Sequence, residues 1–512
     1  MGTLKADLEA AGLDLIETHI SWVFLAEQDV YKVKRPVDFG FLDFTTLQKR
    51  EDACRAEVRL NERLAPDVYL GVLPVTLDGG VHRLGGNGPV VDWAVHMRRL
   101  SATHRADVLL EAGTLEPAQV DALAERIARF HSNARCDELT SRHGEPEMIR
   151  RNVRENFEQT RNTISQYLAP AQAAEIEAWQ LAMLEDESRF EARIRARRVR
   201  DGHGDLRLEH VYFEASETLA VIDCIEFNDR FRYGDVCADV AFLSMDLAWH
   251  GRVDLAERLL ASYARESHDF GLYAVVDFYE SYRAFVRGKI ASFLAIDPEA
   301  SHFTRERAKR EARRYFMLAL AYERPPLVPP RVIAVTGLIA SGKSRTASLI
   351  GEILAAPVLS SDRTRKFLAG RAPDEALGNE PWAGAYSKEA TEAVYAALFA
   401  DAETIVASGR PVVIDASFRT RAARAKAREL ASRAGVPFTL IECTAPRELL
   451  LERLRKRETR GTHESDARTD LLEEFERRFE PIDELGAAEH LRLDTSGDRA
   501  QNRARLVALL AP

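Results

Sequence analysis

An α+β unit followed by an α/β unit built on a doubly wound parallel sheet is the fold class the sequence predicts, on three observations. The stretch ERPPLVPPR, residues 323–331, sets four prolines within six positions. Such a run propagates neither a helix nor a central strand and favours an extended connector. Directly after it, RVIAVTG (331–337) is a short apolar run ending in glycine, the pattern of a parallel strand buried on both faces. Before it, residues 251–322 read as a helix-rich stretch whose arginines, as in FTRERAKREARRYF, lie on a solvated face. The chain is therefore cut into units 1–325 and 326–512.

Composition narrows the class. At 512 residues the chain has room for two to four domains, each with its own core. Hydrophobic residues make up 46% and charged residues 30%, as in ordinary globular proteins. No apolar run reaches the roughly 18 residues of a membrane span. The opening MGTLKADLEAAGLDL is amphipathic and acidic, without the basic start and apolar core of an export signal. Ala6 stands where a myristoylation signal takes Ser or Thr. The five cysteines are scattered with no CxxC pair, so neither a zinc site nor a disulfide framework is indicated. A cytoplasmic protein with reduced thiols is expected. The net charge of −10 argues against a broad nucleic-acid surface while leaving room for a local basic groove.

In the first unit, SWVFLAEQDVYKVK (21–34) reads as two strands and a turn, with Lys32 and Lys34 on one strand face. CRAEVRLNERL (54–64) reads as a helix carrying Glu57, and VVDWAVHMRRL (90–100) as a strand leading into a larger helical part. HGDLRLEHVYF (203–213) places an aspartate two residues after a histidine, ahead of a short strand. LAVIDCIEFNDRFRYGDVCADVAFLSMDL (219–247) then sets Asp223 at the end of an apolar strand. This set resembles the aminoglycoside-phosphotransferase-like kinase family.

The resemblance implies a bilobal protein-kinase-like fold and a role for each of these residues. Lys32 paired to Glu57 clamps the α- and β-phosphates of ATP, with Lys34 an open rival for the same place. Asp205 accepts or orients the proton of the acceptor hydroxyl, His203 braces the loop, and Arg207 keeps a positive charge over the γ-phosphate. Asp223 chelates Mg²⁺, and Asp235 and Asp239 anchor the loop to a helix. No GxGxxG precedes Lys32, as in the family, and Ser21 is offered as a phosphate ligand instead. His210 is the departure, because such loops carry a metal-binding asparagine there. Mg²⁺ prefers oxygen ligands, whereas imidazole suits Mn²⁺ or Zn²⁺ better. His210 is thus expected to join Asp223 on the metal, to bond phosphate, or to hold the loop.

In the second unit GLIASGKS (337–344) matches GxxxxGK[ST] between a strand and the helical run SRTASLIGEILAA. Backbone amides of Gly337, Leu338, Ile339, Ala340, Ser341 and Gly342 are expected to cradle the nucleotide phosphates. Lys343 reaches the β- and γ-phosphates, and the Ser344 hydroxyl holds Mg²⁺. VLSSDRTRKFL (358–368) is read as a strand whose end presents Asp362 and Arg365, and PVVIDASF (411–418) as a strand ending in Asp415. Ligands of a doubly wound sheet sit beyond the carboxyl ends of its strands. Asp415 is therefore a candidate for the Mg²⁺ contact, Asp362 for the base on the acceptor, and Arg365 for the grip on an anionic group of the acceptor. Aspartates at such places also serve as helix caps. IECTAP (441–446) reads as the strand before LLLERLRKRETRG (449–461), where Arg453 and Arg457, followed by Arg460, form a candidate lid that neutralises the transferred phosphoryl group.

These motifs, over about 331–495, resemble the small P-loop kinases that include polynucleotide 5′-hydroxyl kinases, gluconate kinase, chloramphenicol phosphotransferase and zeta toxins. SDRTR paired with DAS fits the polynucleotide-kinase-like branch best. With THISWVFL, YKVKRPVDFGFLDF and DCIEFN in the first unit and the two units in this order, the whole chain is similar to bacterial proteins that fuse a phosphotransferase-like domain to an ATP-binding kinase. The resemblance implies an ATP- and Mg²⁺-dependent kinase with two nucleotide sites, acting on a small molecule or a polynucleotide 5′ end. Basic residues from Arg419 to Arg433 could hold a polynucleotide, although at helical spacing such residues are more often plain surface. The competing expectation is a nucleotide-gated regulatory ATPase with a ligand-sensing pseudokinase first unit. A zeta-toxin-like kinase acting on activated sugars is a third.

Overall fold

Period-two alternation of apolar residues builds the first layer. In the computed structural model, which describes residues 3–40, 42–214, 219–320, 327–373, 375, 377, 384–460 and 469–510, six strands form one antiparallel sheet. They are β1 (Asp14–Glu17), β2 (Ser21–Leu25), β3 (Asp29–Lys34), β4 (Tyr69–Asp78), β5 (Val81–Leu84) and β6 (Val90–Arg98), in the order β1-β2-β3-β6-β4-β5. Phe24, Val33, Val75 and Ala94 pack with Leu8 on one face. Tyr69, Val95 and Met97 pack with Cys54 on the other. Lys32 lies opposite Val95 in the β3–β6 register. Lys32 and Lys34 therefore point to the second face, where the helix Leu47–Asn61 lies.

That helix starts where the Thr46 hydroxyl accepts the Lys49 N–H. Its buried residues Arg50, Ala53, Cys54, Glu57, Leu60 and Asn61 recur at helical spacing. Two of them are charged, which is affordable only with partners. Arg50 donates to Asp92 at 2.8 Å and to the Phe44 carbonyl at 3.1 Å. Glu57 is the residue the sequence placed beside a lysine.

The rest of this unit is helical, with a core in which Phe242, Met245, Phe285, Tyr315 and Phe316 pack together. Two small antiparallel pairs are set into it. β7 (Val199–Asp201) pairs with β10 (Tyr233–Asp235), and β8 (Val211–Phe213) pairs with β9 (Leu219–Val221). The segment between β7 and β8 carries the HGD motif, and the segment between β9 and β10 carries Asp223 and Glu226.

In the second unit β11 (Val332–Thr336), β12 (Val358–Ser360), β13 (Val412–Asp415), β14 (Phe438–Thr444) and β15 (His490–Asp494) form a fully parallel sheet in the order β12-β13-β11-β14-β15. Every residue of β11 and β13 is buried, as expected of strands covered by helices on both faces. The mixed class and the parallel sheet agree with the sequence. One boundary differs. β12 ends at Ser360, whose hydroxyl accepts the Arg363 N–H and starts the helix Ser361–Leu368. Asp362 and Arg365 thus belong to a helix and not to a strand end.

By packing, one compact unit comprises 1–252 with 278–321, and the other 253–277 with 322–512. Within the second unit, Arg410 is buried against Glu257 at 2.7 Å and Asp277 at 2.9 Å. Arg363 donates to the Arg265 carbonyl, and His268 stacks on Phe367 at 3.9 Å. Among the described residues no helix is long and apolar enough to cross a membrane.

Candidate active sites

The first site begins with a buried charge cluster. Lys32 Nζ donates to Glu57 Oε1 at 2.9 Å and to Asp223 Oδ1 at 2.7 Å. Lys34 Nζ donates to the other Glu57 oxygen at 2.5 Å and to Glu226. Both lysines therefore share Glu57, and the two expected rivals act as neighbours. Burial works against the charge on Lys32, but Asp223 and Glu57 raise its pKa well above that of an ordinary lysine. Burial pushes Glu226 up, with Lys34 holding against it. Lys34 is fully buried, whereas Lys32 touches the one carboxylate of the cluster with a solvent-facing side, Asp223, 43% exposed.

The HGD loop is held by groups on every side. The Asp239 carboxylate accepts the His203 N–H at 2.6 Å and the Gly204 N–H at 2.9 Å. Gly204 has φ +88°, and a Cβ there would lie 2.7 Å from the Phe231 carbonyl oxygen, so no larger residue fits. Asp246 accepts the Leu208 N–H at 2.9 Å. Burial pushes the His203 pKa down to about 4, so the ring is neutral. Its Nε2–H donates to the Ile222 carbonyl at 3.0 Å, and Nδ1 accepts the Asp205 N–H at 3.3 Å. His203 thus braces the loop against the segment bearing Asp223.

Asp205 lies under a guanidinium fork. Arg207 Nε and Nη2 donate to its two oxygens at 3.0 and 2.9 Å. Burial disfavours the carboxylate, yet Arg207, His210 and Arg287 hold it well below the usual range. Burial and the Arg207 charge lower the His210 pKa. Its Nδ1–H donates to the Asp205 carbonyl at 2.8 Å, so the Nε2 lone pair accepts from Arg207 Nη2 at 3.4 Å and lies 3.6 Å from Asp223 Oδ2. A small adjustment would let the two groups hold one divalent cation between them, which would offset the charge of bound phosphates. Asp223 adopts φ +66°, two residues beyond β9. Among the described residues no three His, Cys, Asp or Glu side chains cluster as a metal site. Asp235 pairs with Arg193 at 2.8 Å instead of the loop. Ser21 is fully buried. Glu226 and Asp246 were given no role from the sequence, although both lie in the run LAVIDCIEFNDRFRYGDVCADVAFLSMDL quoted for Asp223.

In the second unit, register brings the site together. Asp415 pairs across with Ser360 on one side and Val335 on the other. The carboxyl ends of β12, β13 and β11 therefore align Asp362, Asp415 and the loop from Gly337 along one edge. Gly337 has φ +139°, and a Cβ there would meet the Cys443 carbonyl oxygen at 2.4 Å. Ile339 and Ala340 are buried, and Gly342 caps the helix Lys343–Leu354, whose N-terminus faces the loop. Lys343 Nζ folds onto the Leu338 carbonyl at 2.9 Å. Ser344 is exposed in the first helical turn, and Asp415 is buried at the strand end. Their oxygens are the hard donors Mg²⁺ prefers.

Arg453 holds the phosphate loop. It donates to the Ala340 carbonyl at 3.2 Å and to the Thr495 carbonyl at 2.7 Å, while Thr495 Oγ1 donates to the Ser341 carbonyl at 2.7 Å. The side chains of Arg457 and Arg460 lie outside the described residues. Of the basic stretch, Arg424 is fully buried against Glu484 and the Phe418 and Pro481 carbonyls. Arg421 pairs with Asp483, Arg428 with Glu489 and Arg433 with Glu403. Those four arginines are matched by acids and form no basic groove.

Comparison with known proteins fits this geometry. The model of the phosphotransferase enzyme family matches residues 26–279, and that of an AAA domain matches 332–482. Over 496 residues the chain is 31% identical to Uncharacterized protein Rv2004c of Mycobacterium tuberculosis (strain ATCC 25618 / H37Rv), spanning 96% of this chain and 94% of that one. Uncharacterized protein Mb2027c of Mycobacterium bovis (strain ATCC BAA-935 / AF2122/97) matches to the same extent. A solved gluconokinase from Sinorhizobium meliloti 1021 is 23% identical, with a TM-score of 0.26 over 35% of this chain and 95% of its own. The chain belongs with these mycobacterial proteins to a family that joins a phosphotransferase domain to a P-loop kinase domain.

Proposed function

We propose that the protein is a cytoplasmic ATP-dependent kinase with two active sites, one within 1–325 and one within 326–512, each transferring the γ-phosphoryl group to a hydroxyl. The acceptor is a small molecule or a polynucleotide 5′ end. The observation that carries the first site is the chain Glu57–Lys32–Asp223–His210–Asp205, which runs from a phosphate clamp to a base through groups in contact or within 4 Å. Lys32 holds the α- and β-phosphates, Arg207 turns from Asp205 to the γ-phosphate, and Asp205 then takes the acceptor proton. In the second site the loop 337–344 cradles the phosphates and Asp362 takes the proton. Asp223 with His210, and Ser344 with Asp415, would hold Mg²⁺, which when bound offsets charge on the phosphates.

A pool of metabolites and oligonucleotides incubated with γ-labelled ATP tests this. Lys343→Ala should remove one set of labelled products and Asp205→Ala another. Label unchanged in both variants contradicts the proposal. The second reading, a regulatory ATPase whose first unit does not turn over, is favoured by one observation, the closure of Arg207 on Asp205. It predicts Lys343-dependent ATP hydrolysis with no phosphorylated product.

A further inference from the structure

The first unit holds a cleft of about 300 Å³, lined by none of Lys32, Glu57, Asp205, Arg207, His210 or Asp223. That volume is at the lower end of the range that takes a small molecule. Three walls enclose it. One is the stretch 64–68, which joins the helix Leu47–Asn61 to β4. The second is the face of the helix Pro117–Asn133 on which Ala122, Glu125, Arg126 and Arg129 recur at helical spacing. The third is the β8–β9 pair, with Leu219 and Ala220.

Two of the three cations around the cleft are already matched. Arg98, at the end of β6, gives its terminal nitrogens to the two Glu214 oxygens at 2.9 and 2.7 Å and its Nε to the Asp67 carbonyl at 3.2 Å. Arg129 pairs with Glu125 at 2.6 Å on the exposed rim. Arg126 differs. One of its terminal nitrogens donates to the Leu64 carbonyl at 3.2 Å, and among the described residues no carboxylate pairs with it. Its Nε is buried and, among the described residues, has no hydrogen-bond acceptor. A guanidinium N–H withdrawn from water without an acceptor is disfavoured, and an oxygen entering the cleft would satisfy it. Val68, Leu219 and Ala220 offer an apolar wall for the rest of such a molecule. Asp67 is exposed and lines the same cleft, so a second negative charge would be repelled.

We infer that this cleft is an effector site for a small monocarboxylate, whose carboxylate pairs with Arg126 and whose apolar part lies against Leu219 and Ala220. Each wall leads to a group of the first site. Glu57 stands seven residues, about two helical turns, before Leu64, and Asp223 follows Ala220 by three residues. On the helix of Arg126, His131 Nε2 lies 3.3 Å from the Asp239 carboxylate that accepts the His203 and Gly204 N–H groups. A ligand touching all three walls ties the phosphate clamp, the Asp223 segment and the HGD loop together, and so changes turnover without meeting ATP or acceptor. The effect on turnover rests on the phosphotransfer proposed above for the first site. The binding does not.

The test uses the full chain, with Mg²⁺ and a nonhydrolysable ATP analogue present so that carboxylates do not report on the phosphate sites. Benzoate and hexanoate are the probes, and benzyl alcohol, benzylamine and the dianion phthalate are controls at equal ionic strength. Saturation-transfer NMR should show a probe bound, with every control at least tenfold weaker. Arg126→Gln should weaken the probe at least tenfold, and Arg126→Lys should recover part of the loss. Ala122→Trp, which fills the cleft from an exposed helical position, should abolish binding while leaving turnover without probe unchanged. No binding of either probe, controls bound as well as the probes, or affinity unchanged in Arg126→Gln and Ala122→Trp overturns the site. In a Lys343→Ala background the probe should change kcat or the ATP KM of first-site transfer at least twofold, and Ala122→Trp should remove that response. Binding with no change in turnover would overturn the effector role. Binding in a chain whose first site labels no acceptor would retain the carboxylate site and reject phosphotransfer there.

Discussion

Arg207 grips Asp205 through a two-pronged contact, Nε on one carboxylate oxygen and Nη2 on the other, at 3.0 and 2.9 Å. The proposed base of the first site is thus ionised and capped by the same residue proposed to meet the γ-phosphate. One guanidinium cannot serve both groups equally, so nucleotide should draw Arg207 away and uncover Asp205.

This gives a pH signature. Arg207 is the largest of the charges holding the Asp205 pKa down. In the wild type, Asp205 stays deprotonated far into acid. Without Arg207 its pKa rises, so the acid limb of the rate profile moves to higher pH. We expect Arg207→Ala to show this displacement and to lose roughly 100-fold or more in transfer at the first site. Arg207→Lys should keep the acid limb near its wild-type position. The kcat/KM profile against pH in a Lys343→Ala background measures both.

Lys32 and Lys34 touch the same glutamate yet should fail differently. Lys34 is fully buried between Glu57 and Glu226. Lys34→Met leaves a buried carboxylate short of a partner and should destabilise the first unit by about 3–5 kcal/mol, read by chemical denaturation. Lys32 reaches out to Asp223, so Lys32→Met should weaken ATP binding by about tenfold or more, read by titration.

His210 presents an imidazole lone pair 3.6 Å from Asp223 Oδ2. An oxygen ligand in its place suits Mg²⁺ better. His210→Asn should raise the ratio of Mg²⁺- to Mn²⁺-supported turnover at the first site several-fold. An unchanged ratio would assign His210 to the loop alone.

Glu484 contributes to the acid sensitivity of the second unit. Burial opposes its charge, but the bond from Arg424 brings its pKa down to about 2 from the ordinary 4.5. A carboxyl depressed on folding stabilises the fold above its unfolded pKa, and that contribution is lost as pH falls through the folded value. Stability should therefore decline between about pH 4.5 and 2 in the wild type. Glu484→Gln should start lower and show a shallower decline in the same window, measured by melting temperature against pH.

What was legible in the sequence is what chemistry requires to be local. GLIASGKS sits in eight consecutive residues between a strand and a helix, and the structure keeps that order. HGD and Asp223 were readable because each follows from a short pattern. Partners far apart in the chain were not readable. Asp246 bonds Leu208 across 38 residues, and Glu226 reaches Lys34 across 192. Arg424 looked like a surface arginine on an amphipathic helix, because Glu484, which buries it, stands 60 residues away. Arg453 looked like a lid cation, and its bond to the Ala340 carbonyl spans 113 residues. Lys32 and Lys34 could not be ranked, since period two sets the face a residue takes and not which carboxylate it meets.

The central claim is that triphosphate binds at two separate places in one chain. Calorimetric titration of the whole protein with a nonhydrolysable ATP analogue in Mg²⁺ tests it most directly. The account predicts two equivalents bound by the wild type, with the affinity of one reduced about tenfold or more in Lys343→Ala and that of the other in Lys32→Met. A single equivalent in the wild type, or two of unchanged affinity in either variant, would contradict it.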